Sequence, residues 1–245
     1  MRKLTSRWSV FAGGAALATA TLALAASPAM AATGPFANGN FTQTTFQFDA
    51  STTEWVTLYA GGTQQLSDWT VTSGSVDLIG NYWQAPPGGG NSLDMDGNTQ
   101  GAISQTFSTN PGTEYFVQFQ LSGNPDAGTG TKTLQVQASG TAAQSYNFTV
   151  TSSISHSNMG WQTEGYTFLA SSGTSSTTLN FASQTPGAWG PVLGYVTVTP
   201  IAASGAECKD GGWQTLNNPT TLSPFQNQGA CVSYFATSGA TPIGS

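Results

Sequence analysis

One short segment of the sequence combines aromatic and polar side chains with an exit rich in proline and glycine. It reads VDLIGNYWQAPPGGG over residues 76–90, in a chain in which only 7% of the residues are charged. A further tryptophan has a similar setting in TPGAWGPV. Carbohydrate binding needs aromatic faces on which sugar C–H groups stack, and polar side chains that hydrogen-bond hydroxyls. The candidate ligand-binding residues are therefore Asp77, Asn81, Tyr82, Trp83, Gln84 and Trp189.

The tryptophans fall into two groups according to their sequence neighbours. Trp69 and Trp161 belong to strand-like runs, so we expect them in the core, where large aromatic side chains are usually buried. Trp83 and Trp189 are flanked by proline and glycine, which indicates loops. A loop tryptophan is either a binding group or a cover over the end of a sandwich, and the sequence leaves both alternatives open.

Acidic residues raise the alternative of a glycoside hydrolase, which needs two carboxylates that face each other across a cleft. The candidates are Glu54, Asp77, Asp94, Asp96, Glu114 and Glu164. A serine hydrolase is not indicated, because the single histidine, His156, has no acid close in sequence and no G-x-S-x-G segment occurs. We predict a non-catalytic protein with His156 in a loop or at a strand edge, and retain the glycoside hydrolase as the less favoured alternative.

The segment Asp94-Met95-Asp96-Gly97-Asn98 has the alternating acids with which calcium-binding loops begin. The downstream acid that such a loop uses as a bidentate ligand is missing. We therefore predict a strand from Asn91 to Asp96 that ends in a turn at Gly97, with no bound metal.

Short alternating runs of apolar and polar residues fill the chain from Asn38 to about Thr199. Tyr115, Val117 and Phe119 form one such run, and glycine, proline, asparagine and serine separate it from the next. A period of two with frequent turn signals is typical of an all-β sandwich or barrel. We predict such a fold, with no helix outside the N-terminal segment.

The N-terminus has the pattern of a secretory signal peptide. Basic residues in the first seven positions precede an unbroken apolar and small-residue stretch from Val10 to Ala26, and small residues surround Met30. We predict a Sec-type signal peptide over residues 1–31, cleaved after Ala31, and a secreted, extracellular product. No membrane insertion is expected after its removal.

Charge excludes several classes of partner. Without residues 1–31 the chain keeps only Lys132 and Lys209 as basic side chains, against eleven acidic ones. Nucleic acids and anionic membranes are bound by clustered lysine and arginine, which two isolated lysines cannot provide. We predict neither partner.

Cys208 and Cys231 are the only two cysteines, and both follow the predicted signal peptide. A disulfide is the favoured interpretation, worth about 3 kcal/mol for a loop of this length, and a thiol catalyst or metal pair is the alternative. The composition changes after the small residues 200–205. We therefore predict a β-domain over 33–199, a linker over 200–205 and a small cysteine-paired segment over 206–245.

Several stretches, in matching order, resemble a known family. They are NGNF (38–41), WTVTSGSVDLIGNYW (69–83), NSLDMDG (91–97), GAISQTF (101–107), FQLSGNP (119–125) and NMGW (158–161). The resemblance is to the choice-of-anchor C proteins of bacteria, related to the plant cell-wall family called domain of unknown function 642. It implies a galactose-binding-like jelly-roll sandwich of two antiparallel sheets, extracellular and associated with polysaccharide. The segment after residue 205 resembles a short cysteine-paired tail of secreted actinobacterial proteins.

The resemblance also bears on calcium. Sandwiches of this type often hold a structural calcium ion with one carboxylate just after the NGxF turn and another entering the last strand. In this chain those two positions are Thr42 and Gly194. Because calcium requires several oxygen ligands including carboxylates, we predict weak or absent binding there, and no cofactor.

Together these features predict a secreted, non-catalytic module that binds polysaccharide or another component of the cell envelope or extracellular matrix. A structural or adhesive module that recognises protein is the alternative, with the same aromatic residues as its interface.

Overall fold

The computed structural model describes residues 34–238. The predicted signal peptide and its cleavage site after Ala31 lie outside the described residues, as does the end of the predicted C-terminal segment, residues 239–245. Within the described residues, no helix is both long and apolar enough to cross a membrane.

Residues 34–238 form a β-sandwich of two antiparallel sheets, which confirms the all-β jelly-roll prediction. One sheet has six strands in the order β1-β3-β4-β11-β6-β9, and the other has five in the order β2-β5-β10-β7-β8. The strands are β1 Trp55–Tyr59, β2 Thr70–Ser73, β3 Ser75–Ile79, β4 Ser92–Asp94, β5 Ala102–Ser108, β6 Glu114–Gly123, β7 Gly130–Ala138, β8 Gln144–Val150, β9 Gln162–Leu169, β10 Ser176–Ser183 and β11 Pro191–Pro200.

The main core lies between the two sheets and follows the alternation in the sequence. On β7, for example, Leu134, Val136 and Ala138 are fully buried. Trp69 is also buried and donates its indole N–H to the Asn38 carbonyl at 3.1 Å. Successive side chains of a strand point to opposite faces, so each run supplies one apolar face to the core.

The six-stranded sheet is also covered on its outer face. Strands β3 and β4 are buried along nearly their whole length, unlike strands with one face in water. A second, smaller cluster of Ile79, Trp83, Met159 and Val192 lies there, with Tyr82 and Trp161 packed against it. Loops that follow β3 and β8 therefore fold over the outer face of this sheet. Trp161, which we expected in the core, is a half-buried member of this outer cluster.

The prediction that no helix follows the signal peptide is wrong. Helix α1 spans Gln228–Ser238, and a 3-10 helix spans Gly212–Gln214. The helix has no apolar stripe, but Asn227 caps its first turn by accepting the Ala230 N–H at 2.8 Å. A disulfide joins Cys208 to Cys231, which lies in the helix, and this confirms the predicted disulfide. The helix is stabilised by its N-terminal cap and by the disulfide. Because it does not depend on an amphipathic face, the hydrophobic pattern of the sequence gives no sign of it.

The chain stays in contact with the sandwich as it leaves β11. Ile201 and Ala202 are buried, and the Ile201 N–H donates to the Glu114 carbonyl at 2.8 Å. Ala202 and the two cysteines pack with Phe225 in a third apolar cluster. The first residues of the segment predicted as a linker, 200–205, are thus part of the packed structure.

Candidate functional site

The pairing of three strands brings two carboxylates to the same place. Asp77 on β3 pairs directly with Asp94 on β4, which in turn pairs with Val192 on β11. Directly paired residues of antiparallel strands project from the same face, and Val192 belongs to the outer cluster. Asp77 and Asp94 therefore project side by side from the outer face of the six-stranded sheet.

A pocket of about 270 Å³ opens over these carboxylates. Two tryptophans that are about half exposed line it, Trp55 at 45% and Trp189 at 49% exposure. The lining residues are Trp55, Asp77, Ile79, Tyr82, Trp83, Asp94, Gly97, Asn98, Asn124, Asp126, Ala188 and Trp189. The pocket thus combines exposed aromatic faces with carboxylate and amide groups.

Tyr82 connects one aromatic wall to the loop that follows β8. Its ring packs edge-on against Trp55, with 4.9 Å between ring centroids, and lies 4.3 Å from the imidazole of His156. Its hydroxyl donates to Oδ2 of Asp126 at 3.0 Å. Burial raises the pKa of Tyr82, and the nearby carboxylates of Asp126 and Glu54 raise it further.

Asp94 is buried beneath the pocket and fully hydrogen-bonded. Its Oδ1 accepts the backbone N–H groups of Asp96 and Gly190, both at 3.0 Å, and its Oδ2 accepts from Nδ2 of Asn124 at 2.6 Å. Burial raises the pKa of Asp94 to about 7, although these three donors lower it. Asp94 is therefore an internal anchor for the strand ends around it.

Asn124 extends this network to the rim of the pocket. While its amide N–H donates to Asp94, its Oδ1 accepts the backbone N–H of Asp126 at 2.8 Å. The Asp126 carboxylate in turn lies 2.7 Å from Nε2 of His156. His156 thus has an acidic partner that is 30 residues away in sequence, and it lies in a loop, as predicted.

Asp96 and Lys132 lie behind the loop that carries Trp189. Asp96 is fully buried, and neither of its carboxylate oxygens has a hydrogen-bond partner within residues 34–238. Burial raises the pKa of Asp96 to about 6, whereas the nearby Ser183 hydroxyl, Gly101 N–H and Lys132 charge lower it without forming a well-aligned bond. The buried Lys132 ammonium donates to the Trp189 carbonyl at 2.6 Å.

Asp77 differs from the other acids of the pocket in its hydrogen bonding. Its Oδ1 is buried and has no partner among the described residues, and the half-buried side chain lines the pocket. Burial raises the pKa of Asp77, and the nearby Thr57 hydroxyl lowers it. Asp77 is the one carboxylate lining this pocket with a buried, unpartnered oxygen.

Trp83 is not available for stacking, contrary to the sequence-based prediction. It is only 6% exposed, and its indole N–H donates to the Ser92 hydroxyl at 2.9 Å. Its ring packs in the outer cluster with Ile79, Met159 and Val192, although the residue contributes to the lining of the pocket. Trp83 is therefore held in this cluster instead of being presented to solvent.

Asn81 and Gln84 do not line the pocket, because both are engaged in holding loops. The Asn81 amide donates to the Ser51 carbonyl at 2.8 Å. The Gln84 side-chain oxygen accepts the Met159 N–H at 2.9 Å. These side chains hold neighbouring loops, whereas Asp77, Tyr82 and Trp189 of the predicted residues line the pocket.

Sequence reasoning missed most of the polar lining. Trp55, Asn98, Asn124 and Asp126 were not proposed as ligand-binding residues, and Asp94 was considered only as a carboxylate for hydrolysis or metal binding. The alternation of Trp55, Thr57 and Tyr59 was the only local signal for an outward-facing aromatic residue. The others come together through strand pairing over long sequence separations.

Of the carboxylates considered for hydrolysis, the structure brings Asp77 and Asp94 into one pocket. Glu114 and Glu164 lie on β6 and β9 and do not line it. Because both oxygens of Asp94 already accept hydrogen bonds, Asp94 is poorly placed to protonate a leaving group.

Metal ligands are not grouped in the described part of the chain. Within residues 34–238, no three His, Cys, Asp or Glu side chains are arranged to hold a metal ion. At the positions where similar sandwiches hold calcium, Thr42 donates its hydroxyl proton to Asn40, and the space beside Gly194 is filled by Pro86. These residues do not fit a calcium ion, and weak or absent binding remains a prediction.

The class defined by this geometry is a two-sheet β-sandwich with an aromatic-walled pocket on its outer face. Residues 34–199 match the sequence profile of the family described as protein of unknown function (DUF642), and the chain belongs to that family. A 168-residue stretch is 31% identical to halomucin of Haloquadratum walsbyi, covering 66% of this chain. The chain spans only 2% of the length of halomucin.

The solved structures to which this chain is similar include three carbohydrate-binding modules. TmCBM61 in complex with β-1,4-galactotriose is 15% identical, with 55% of this chain and 89% of that module covered and a TM-score of 0.37. A CBM4 module is 18% identical, with 67% of this chain and 98% of that module covered and a TM-score of 0.37. CBM35 from Paenibacillus barcinonensis is 22% identical, with 59% and 98% covered and a TM-score of 0.35. Similarity at this level does not bear on the ligand of this chain.

Proposed function

We propose that the protein is a glycan-binding module and that its site is the pocket between Trp55 and Trp189. The observation that carries this proposal is the presence of two half-exposed indoles on the walls of one polar pocket. Indole faces stack on the C–H faces of sugar rings, and the Asp and Asn side chains below can accept and donate hydrogen bonds to hydroxyls. At about 270 Å³ the site lies just below the usual range of small-molecule pockets, which begins at about 300 Å³, so it suits one or a few sugar rings.

The support around the pocket fits a binding role. Asp94, Asn124 and Asp126 are linked by hydrogen bonds, so the polar floor is held in place before a ligand arrives. Preorganisation lowers the entropic cost of binding. We propose a non-catalytic role, since Asp94 is committed to three donors and Asp126 to Tyr82 and His156, which leaves Asp77 without a second unengaged carboxylate in the pocket.

Further parts of the proposal concern location and partner. We propose that the chain is secreted through the signal peptide over residues 1–31, as a member of the choice-of-anchor C group with a cysteine-paired tail. Its partner is a polysaccharide of the cell envelope or extracellular matrix. The support is the sequence pattern of the N-terminus and the scarcity of basic residues after it.

The test is affinity electrophoresis and calorimetry of the purified chain against a panel of soluble polysaccharides and oligosaccharides. At least one glycan retards the wild-type protein, and both Trp55→Ala and Trp189→Ala weaken its binding by roughly tenfold or more, about 1.4 kcal/mol. Trp83→Phe affects thermal stability more than binding, because Trp83 is buried and hydrogen-bonded.

Leu169→Ala is the control, because Leu169 is 56% exposed on β9 and does not line the pocket. Its glycan affinity should equal that of the wild type. The proposal fails if no glycan is retarded, or if the two tryptophan variants bind as well as the control. Capture of a specific envelope protein that resists glycan competition would favour the adhesive alternative instead.

A further inference from the structure

The charge of the pocket restricts its ligand. Asp77, Asp94 and Asp126 line it, and no lysine or arginine among the described residues does. The two lysines of residues 34–238 are engaged elsewhere or distant in sequence, since Lys132 donates to the Trp189 carbonyl and Lys209 belongs to the C-terminal segment. Like charges repel most strongly where water is partly excluded, so an acidic saccharide is disfavoured.

The carboxylates of the pocket are not equally satisfied. Asp94 accepts three hydrogen bonds, and Asp126 is bonded to both Tyr82 and His156. Asp77, by contrast, has a buried Oδ1 without a partner. A buried carboxylate oxygen without a donor is costly, and because the Asp77 carboxylate lines the pocket, a donor or cation of a ligand there would offset part of this cost.

Three hydrogen-bond donors of the pocket wall are used within the protein. The Tyr82 hydroxyl donates to Asp126, the Trp83 indole to Ser92 and the Asn124 amide to Asp94. A ligand that supplies donors would therefore suit the carboxylate acceptors of this pocket. An ammonium group has three donors and a positive charge, and hydrogen bonds between charged partners are about twice as strong as neutral ones.

The aromatic walls favour the same chemistry. A cation above an indole face gains about 0.5–1 kcal/mol at an exposed site, and both Trp55 and Trp189 present exposed rings to the pocket. Stacking of a sugar ring and attraction of its amine can therefore act together. An N-acetylated amine would lose the positive charge that both the indole faces and the Asp77 carboxylate attract.

We infer that the pocket selects saccharides with a free amine, and that the ammonium group binds the Asp77 carboxylate. This inference rests on the proposed glycan-binding function of the same pocket. It assigns Asp77 as the residue that determines specificity, and it places the sugar ring between the indoles of Trp55 and Trp189.

The experiment is calorimetry with β-1,4-linked glucosamine oligomers, their N-acetylated counterparts of equal length, neutral gluco-oligomers and galacturonate oligomers. The pH is chosen by titration so that the sugar amines are protonated and the Asp77 carboxyl group is ionised. Glucosamine oligomers should bind at least tenfold more tightly than the N-acetylated ones, and galacturonate oligomers most weakly. Added salt should weaken only the binding of the amine ligand, because screening reduces an ion pair.

Asp77→Asn is the diagnostic variant. It keeps the shape and an acceptor oxygen but removes the charge, so it should reduce the preference for the amine to below threefold and preserve binding of neutral oligomers. Glu164→Gln is the matched control, because it removes one negative charge from β9, at the opposite edge of the same sheet. Melting curves verify that both variants are folded.

The outcomes separate the two proposals. Equal or tighter binding of N-acetylated or neutral oligomers, or an amine preference that survives Asp77→Asn, overturns the inference while the glycan site stands. If no oligomer binds the wild type, both proposals fail. Should Asp77→Asn not fold, the salt dependence of the wild type decides, since binding of the amine oligomer that is insensitive to salt overturns the inference.

Discussion

Single residues of the pocket are held by partners from distant parts of the chain. Asn124 is the clearest case, because one amide group bonds to Asp94 on one side and to the backbone of Asp126 on the other. Gly190 is held in a similar way, by the hydrogen bond from its N–H to Asp94. Such hydrogen bonds fix the positions of pocket residues that lie in loops outside the strands.

Gly190 has no room for a side chain. A Cβ atom at this position would lie 2.6 Å from Cγ of Asp96, closer than real Cβ contacts allow. We predict that Gly190→Ala lowers the free energy of unfolding by about 1–3 kcal/mol and weakens glycan binding, because the neighbouring Trp189 moves. Chemical denaturation and calorimetry measure the two effects.

Gly173→Ala is the control for this substitution, because the nearest atom to a Cβ there is Oγ of Ser171 at 3.9 Å. It should change neither stability nor binding. Wild-type stability and affinity in Gly190→Ala would show that the backbone at Gly190 moves aside without disturbing the site.

Among the elements, the loop between β10 and β11, residues 184–190, decides where Trp189 lies. Strand β7 holds this loop at both ends. The Gln184 N–H donates to the Thr133 carbonyl at 2.8 Å, and Lys132 donates to the Trp189 carbonyl at 2.6 Å. An exposed indole on a loop loses less entropy on binding when the backbone beneath it is already fixed.

Lys132 is therefore a positioning residue for the Trp189 wall. We predict that Lys132→Met weakens glycan binding by about threefold to tenfold, because it removes the donor to the Trp189 carbonyl while keeping an apolar stem. Hydrogen exchange at the Gly190 amide should become faster in this variant. Calorimetry and exchange measured by NMR test both effects.

Lys209→Met is the matched control, because Lys209 is exposed in the C-terminal segment. It should leave both the affinity and the Gly190 exchange rate unchanged. Equal behaviour of the two lysine variants would contradict a role for Lys132 in holding the loop.

The strands were predictable from the sequence, and the site was predictable only in part. Alternation with a period of two reflects which face of a strand is buried, so the runs around Val117 and Val136 identified strands directly. The pairing of Asp77 with Asp94 depends on strand order and register, which local patterns do not contain. Burial of Trp83 depends on how its loop folds back over the sheet, which composition alone could not decide.

For the molecule as a whole, acidic side chains are buried with few cations to balance them. Burial raises the pKa values of Asp77, Asp94 and Asp96, the last two to about 7 and about 6. Burial also raises the pKa of Glu114, whereas hydrogen bonds from Ser51 lower that of the exposed Asp49. Most of the acidic side chains whose pKa differs from its ordinary value thus bind protons more tightly in the folded state than in the unfolded chain.

This balance predicts a stability that falls as pH rises. A carboxyl whose folded pKa is raised stabilises the folded state fully below its unfolded pKa, near 4, and this contribution is lost as pH rises through the folded pKa. The melting temperature of the wild type should therefore decrease between about pH 4.5 and about pH 7.5 as Asp96 and then Asp94 ionise.

Asp96→Asn isolates one part of this effect. The Asp96 carboxylate is fully buried and has no hydrogen-bond partner among the described residues. Replacing it with a neutral amide should raise the free energy of unfolding by about 2 kcal/mol at pH 8 and by much less at pH 5. Asp49→Asn is the control, because Asp49 is exposed. This substitution should leave the decrease of melting temperature with pH nearly unchanged. Thermal melts across this pH range measure both variants. A wild-type melting temperature that is flat or rises with pH, or an Asp96→Asn gain that is the same at pH 5 and pH 8, would show that the charge of Asp96 is compensated in the folded protein.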